Sequence, residues 1–151
     1  MKLFIQSDSD VRLTASDRTI LNILQTGNWV QGELNADLKP HGITLTQFNV
    51  LRILQEMYPD TLSCNDIRNR LLERGPDLTR LLDRLEKRGL IVRSRSKRDA
   101  RSREIGLTEE AVLLMHKLSD SVDRSLRAVL RGLSIDERRL LSSLLERMRT
   151  A

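Results

Sequence analysis

Between Pro76 and Gly89 the chain places Leu78, Leu81, Leu82 and Leu85 at i, i+3, i+4, i+7, the stripe of a helix with one apolar face. Pro76 suits a first helical position, where a missing N–H costs nothing. Gly89 is a stop signal. Just upstream, Ser63 and Asp66 have capping-box spacing, with Asp in place of the usual Glu or Gln. Leu62 and Ile67 match the accompanying hydrophobic staple. This predicts a short helix with Ile67, Leu71 and Leu72 facing inward, ending at Gly75. Two short helices across a tight, Gly-containing turn form a helix-turn-helix. After Gly89 the period changes. Residues 90–93 and 104–107 are short and rich in β-branched or apolar side chains, with a charged stretch between them, which predicts a two-stranded hairpin, or wing.

Helices flank this unit. Residues 11–37 carry Ile20, Ile23, Leu24, Val30 and Leu34 at helical spacing, with Leu21 and Trp29 beside them. Thr14 or Ser16 can cap the start, Gly27 and Gly32 are positions for a bend or break, and Pro40 with Gly42 ends the helix. Thr44 and Gln47 form a second capping box, with Ile43 and Phe48 as its staple, opening a helix that Pro59-Asp60 stops. Thr108, followed by Glu109 and Glu110, opens a helix to about residue 131. Ser134 and Glu137 open the last one, with a Leu140–Met148 stripe. Only 3% of residues are aromatic, so a core must come from Leu, Ile, Val and Met. The fold class expected is mainly α with a small β-hairpin wing: a winged helix-turn-helix lobe over 38–107, with helices at 11–37 and 108–149. The amphipathic ends lie outside a small winged core and need a cover, for which a symmetric partner is the simplest candidate. One larger helical monomer is the alternative.

Charge is concentrated rather than merely positive. The chain is +5 overall, residues 61–107 are +6 and the remainder is −1. A polyanion recognised by that middle third is one reading, since Lys and Arg gain by releasing counterions from phosphates. A solvated surface is the other. Opposite its leucines, the helix after Pro76 carries Asp77, Thr79, Arg80, Asp83, Arg84 and Lys87. An Arg near the start of such a helix can bond guanine O6 and N7 in the major groove, and Thr79 can meet a thymine methyl or a phosphate. A salt-bridged solvent face with Asp77 and Asp83 competes with that reading. From Lys87 to Arg103 eight basic residues stand against the single acid Asp99. An Arg on a thin loop within 95–103 can enter the minor groove, with Asp99 bracing a neighbouring Arg.

Together these segments resemble the MarR family of bacterial transcription regulators. The run Leu78–Arg93 (LTRLLDRLEKRGLIVR) looks like that family's passage from recognition helix to wing, and Asp99-Ala100-Arg101 like its D-x-R wing motif. Leu107-Thr108 matches the family's helix start after the wing, and Thr44–Phe48 resembles its second helix. The match spans roughly 38–111. The resemblance implies a homodimer on a pseudo-palindromic operator in double-stranded DNA. Thr79, Arg80 and Arg84 then read the major groove, with Asp77 and Arg95 beside them. Arg101 enters the minor groove braced by Asp99, and Ser63 and Asn65 meet the DNA backbone. Two departures stand out: Ala100 where many members carry Arg, and Arg68 where a small residue is usual.

The resemblance also implies a small-molecule site, with Trp29, Phe48, Arg52 and His116 as candidates for a phenolic or carboxylate effector. Ordinary packing is the competing reading for each. The activity expected is sequence-specific transcriptional regulation, by a repressor released by a ligand or signal. Two alternatives remain: redox sensing through Cys64, placed where a helix N-terminus can lower a thiol pKa, and a helical protein–protein adaptor with an incidental basic loop. No cofactor or metal site is expected. His41, His116 and Cys64 fall on separate elements, without metal spacing or a nucleophile motif. The single cysteine fits a reducing cytoplasm. The N-terminus turns polar too early for a signal peptide, and no apolar run approaches the roughly 20 residues of a membrane span.

Overall fold

A computed structural model describes residues 13–71, 77–95 and 103–150. Its helices begin where a side chain can accept from the unpaired amides of a first turn. Thr14 caps α1 (Ala15–Leu38) and Thr44 caps α2 (Leu45–Gln55). Ser63 caps α3 (Cys64–Arg70) and Asp77 caps α4 (Leu78–Lys87). Thr108 caps α5 (Glu109–Val129). Ser134 accepts from the Glu137 amide ahead of α6 (Ile135–Thr150). The boxes at Thr14, Thr44 and Ser63 are reciprocal, and Glu137 likewise accepts from the Ser134 amide.

Several boundaries differ from expectation. α1 runs unbroken through Gly27 and Gly32, which sit where a Cβ would meet nothing within 4 Å. Each glycine costs about 1 kcal/mol of helix propensity, which a capped helix of 24 residues tolerates. α2 ends at Gln55, ahead of Pro59, because residues 57 and 58 close tighter i→i+3 bonds to Leu54 and Gln55. α3 ends at Arg70, where Leu71 turns extended. The expected Leu72 and Gly75 lie outside the described residues. α4 starts at Leu78, since Asp77 accepts from the Arg80 amide and so takes the cap. The first residue of α4 is therefore Leu78, and the expected start at Pro76 lies outside the described residues.

The sheet has one strand more than the expected hairpin. β1 (Leu62–Ser63), β2 (Ile91–Arg95) and β3 (Arg103–Leu107) pair antiparallel in the order β1-β3-β2. Leu62 lies opposite Ile105, and Ile91 opposite Leu107. A two-residue strand leaves no periodicity to read, so β1 was hidden in the staple before α3. Gly106 faces that crossing. A Cβ there would stand 3.1 Å from the methyl of Thr61, just before β1, a tight approach that a side chain could make only if Thr61 gave by a few tenths of an ångström. Gly89 ends α4 at φ +69°, a left-handed conformation that favours glycine.

One apolar core joins all of this. Leu34 and Leu38 from the end of α1 meet α2 through Phe48, Leu51 and Leu54. Ile67, Leu78, Leu82 and Leu85 add the helix-turn-helix, and Ile91, Ile105 and Leu107 add the sheet. α5 supplies Ala111, Met115, Leu118 and Val122 from its first two-thirds. The core stops there. α6 has no buried residue, and α1 has none before Leu34.

Candidate nucleic-acid interface

The side of α4 opposite its buried leucines presents Thr79, Arg80, Arg84 and Lys87 to solvent. Asp77 orders the start of this face. One carboxylate oxygen accepts from the Arg80 amide at 3.3 Å, and the other pairs with Arg80 Nε at 3.0 Å. The expected contact residue Asp77 is thus first a cap and a holder of Arg80. The Arg80 side chain remains 80% exposed, and such a surface pair is worth only about 0–1 kcal/mol. A base contact worth about 1–3 kcal/mol outweighs it. Among the described residues Arg84 has no ion-pair partner.

The wing base continues this charge. Alternation along β2 puts Arg95 on the same sheet face as buried Ile91, and β3 puts Arg103 on the face of buried Ile105 and Leu107. Arg95 and Arg103 are direct cross-strand partners, and both are exposed. Like charges directly opposite destabilise a sheet, an arrangement a polyanion would relieve. Lys97, Arg98, Asp99 and Arg101 lie outside the described residues.

Among the described residues of the Lys87–Arg103 stretch, Arg93 and Arg88 are engaged by partners within the chain. Arg93, 15% exposed, pairs with Asp83 at 2.7 Å and Glu86 at 3.2 Å, tying β2 to α4. Arg88 donates to the carbonyl of Gly42 and, at 3.0 Å, to that of His41, tying the end of α4 to the connection between α1 and α2. Asp83 therefore pairs with Arg93 across to β2, with its side chain still 45% exposed. These roles were invisible to residue counting, because the partners of Arg88 lie 46 and 47 positions away.

The remaining candidates fall into different settings. The half-buried Ser63 hydroxyl donates to Asp66 at 2.6 Å and accepts from its amide, so it is occupied by the cap. Asn65 is exposed in the first turn of α3. The Ser63 hydroxyl, then its amide, hold the Asp66 carboxyl below the usual carboxylate range, with a smaller contribution from the charge of Arg70. Cys64 is a half-buried free thiol. Of the effector candidates, Phe48 is packed in the core, while Trp29 on α1, Arg52 on α2 and His116 on α5 are exposed. No helix among the described residues is long and apolar enough to cross a membrane.

Comparison with known proteins agrees with this geometry. Residues 41–102 match the MarR family. The chain is 31% identical over 134 residues to the HTH-type transcriptional regulator FarR of Neisseria gonorrhoeae, spanning 87% of this chain and 90% of that protein. Among solved structures it is similar to MepR of S. aureus in a DNA complex, with a TM-score of 0.78 and 26% identity over 92% of this chain and 98% of that one. A MarR transcription factor from Planctomyces limnophilus gives a TM-score of 0.70 and 27% identity, over 90% of this chain and 98% of its own. A mutant MarR of E. coli complexed with operator DNA shares the fold at a TM-score of 0.78 and 24% identity, over 90% and 99% of the two chains. A helix-turn-helix, a wing and a relative this similar along most of its length place the chain in the MarR family of winged helix-turn-helix transcriptional regulators.

Proposed function

We propose that this protein is a cytoplasmic, homodimeric repressor that binds a pseudo-palindromic operator, with α4 of each subunit in the major groove. The observation that carries this is the exposed cationic face of α4, Arg80, Arg84 and Lys87, followed by Arg95 and Arg103 at the wing base. Thr79, Arg80 and Arg84 are the base-reading candidates, with Asp77 holding Arg80 in place. Arg101, braced by Asp99, is the minor-groove candidate, and Ser63 and Asn65 supply backbone contacts. MepR, the similar S. aureus protein, crystallised with DNA.

The dimer accounts for what the single chain leaves uncovered. Ile20 and Leu24 of α1, Leu126 of α5, and Leu140, Leu141, Leu144 and Met148 of α6 are each at least 38% exposed. A second copy offers the same faces in return. A phenolic or carboxylate effector near Trp29, Phe48, Arg52 and His116, between the ends and the lobe, would release DNA by changing how the two lobes are held.

The test is selection of duplexes from a random library, followed by gel shift across a salt series. The expected result is an inverted-repeat sequence bound with a steep negative salt dependence. No enriched sequence, or retardation insensitive to salt, overturns the DNA-binding reading and favours an adaptor. Phenolic and aromatic carboxylic acids titrated into the complex then test release.

A further inference from the structure

We propose that Arg93 is a positioning residue for DNA recognition: its guanidinium fixes the wing against the recognition helix, so that both reach one duplex in register. The inference rests on the DNA-binding reading above and concerns the described base of the wing. Arg93 lies midway along β2, between buried Ile91 and exposed Arg95 on one sheet face. One of its terminal nitrogens meets Asp83 at 2.7 Å and the other meets Glu86 at 3.2 Å. These two acids stand at i, i+3 on α4, so they share a side of the helix. A rigid planar fork reaching two acceptors restricts rotation as well as distance, which a point charge cannot do. The Arg93 side chain is only 15% exposed, while Asp83 and Glu86 are 45% and 41% exposed, so solvent reaches the contact from the acid side and its value here is geometric more than energetic.

The consequence is geometric. Arg84 projects from the helix that Arg93 grips, and Arg95 with its partner Arg103 extends from the strand that carries Arg93. The guanidinium is a fixed pivot between the two groups of cations. Without it, each group can still meet phosphate, but the distance between them is no longer set. Lys at 93 keeps the charge and loses the fork.

Charge and position predict opposite outcomes when the acids are removed. Asp83→Asn with Glu86→Gln deletes two negative charges beside a DNA-facing helix. By charge alone this double variant binds DNA more tightly. By loss of position it loses the wing contacts. The experiment uses the full chain and a duplex selected by the wild-type protein, with circular dichroism to verify fold. Guanine N7 methylation protection reports α4 in the major groove, and hydroxyl-radical protection of the flanking backbone reports the β2–β3 ribbon. In Asp83→Asn/Glu86→Gln, Arg93→Met and Arg93→Lys we expect N7 protection at saturating protein to persist while the flanking protection is lost. The salt slope should fall by about 1–2, matching the phosphate contacts given up. Tighter binding by the double variant with intact flanking protection overturns the inference. So does loss of both protections together in a folded variant, which makes Arg93 a general stabiliser. If the wild-type protein selects no duplex, the DNA-binding reading itself has failed.

Discussion

Two sets of leucines in this chain each line a helix and meet opposite fates. In α4, Leu78, Leu82 and Leu85 are 3%, 2% and 0% exposed. In α6, Leu140, Leu141 and Leu144 are 60%, 43% and 44% exposed. The pattern specifies an apolar face, and only the rest of the fold says whether the same chain covers it. The lobe closes on itself because the α4 leucines share one buried cluster with residues of α2, α3, the sheet and the start of α5. The ends have no such surround, and in the proposed dimer their stability would depend on concentration.

The sharpest way to break this comparison is to remove leucines from each set in turn. Leu85→Ala empties a fully enclosed site and should cost about 2–5 kcal/mol of unfolding free energy in denaturant titration, at any protein concentration. Leu140→Asp with Leu144→Asp should leave the lobe folded by circular dichroism while shifting sedimentation from dimer to monomer. A wild-type protein that sediments as a monomer, or a double variant that stays dimeric, removes the distinction.

Legibility followed the same division. Thr44, Ser63 and Ser134 were readable as helix starts because a cap and its partner lie three residues apart, Thr108 from the two acids that follow it, and Thr14 as one of two candidates with Ser16. The inward face of α4 was readable from its i, i+3, i+4, i+7 stripe, and in α3 Ile67 from its staple with Leu62. Pairing across elements was not. Arg88 and Arg93 counted as two more cations in a basic stretch, although their partners had already been fixed by packing. Asp77 looked only like part of the solvent face, because taking Pro76 as the first helical residue puts Asp77 inside the helix rather than at its cap. Local chemistry is written locally, whereas the allocation of charges between fold and ligand is decided in three dimensions.

Within the lobe, Arg84 and Arg93 sharpen this further as one cation facing outward and one facing inward. Arg84→Ala should lower affinity for the selected duplex by about 1–3 kcal/mol and relax preference at one base position, with thermal stability little changed. A uniform loss across all sequences would make Arg84 a phosphate contact instead. Glycines give a smaller contrast between the same two regions. Gly89→Ala places a side chain at φ +69° and should cost about 1–2 kcal/mol. Gly27→Ala lies in helix with open space around its Cβ and should gain about 0.5–1 kcal/mol. Matched melting curves at one protein concentration test the pair, and equal signs would mean that Gly27 faces something the single chain does not contain.

Acid gives the smallest effect and cuts across both regions. Asp17 at the start of α1 is held below the usual carboxylate range by the Thr14 hydroxyl first and the Thr14 amide second. Glu137 ahead of α6 is lowered by the Ser134 amide and then its hydroxyl, and Asp66 in α3 by Ser63. For each, the folded carboxyl ionises at lower pH than the unfolded one, so the unfolded chain binds the proton more tightly. The stabilising contribution is therefore complete above the ordinary carboxylate pKa of about 4 and fades as pH falls through the lowered value. α2 is the internal control, since its box uses Gln47, which does not titrate. Amide exchange should accelerate relative to its intrinsic rate at Asp17, Asp66 and Glu137 as pH drops below about 4, while Gln47 stays protected. Carbon-13 shifts of the three carboxyls supply the midpoints. If Gln47 loses protection along the same curve, acid is unfolding the lobe as a whole and the caps are not separate acid-sensitive points.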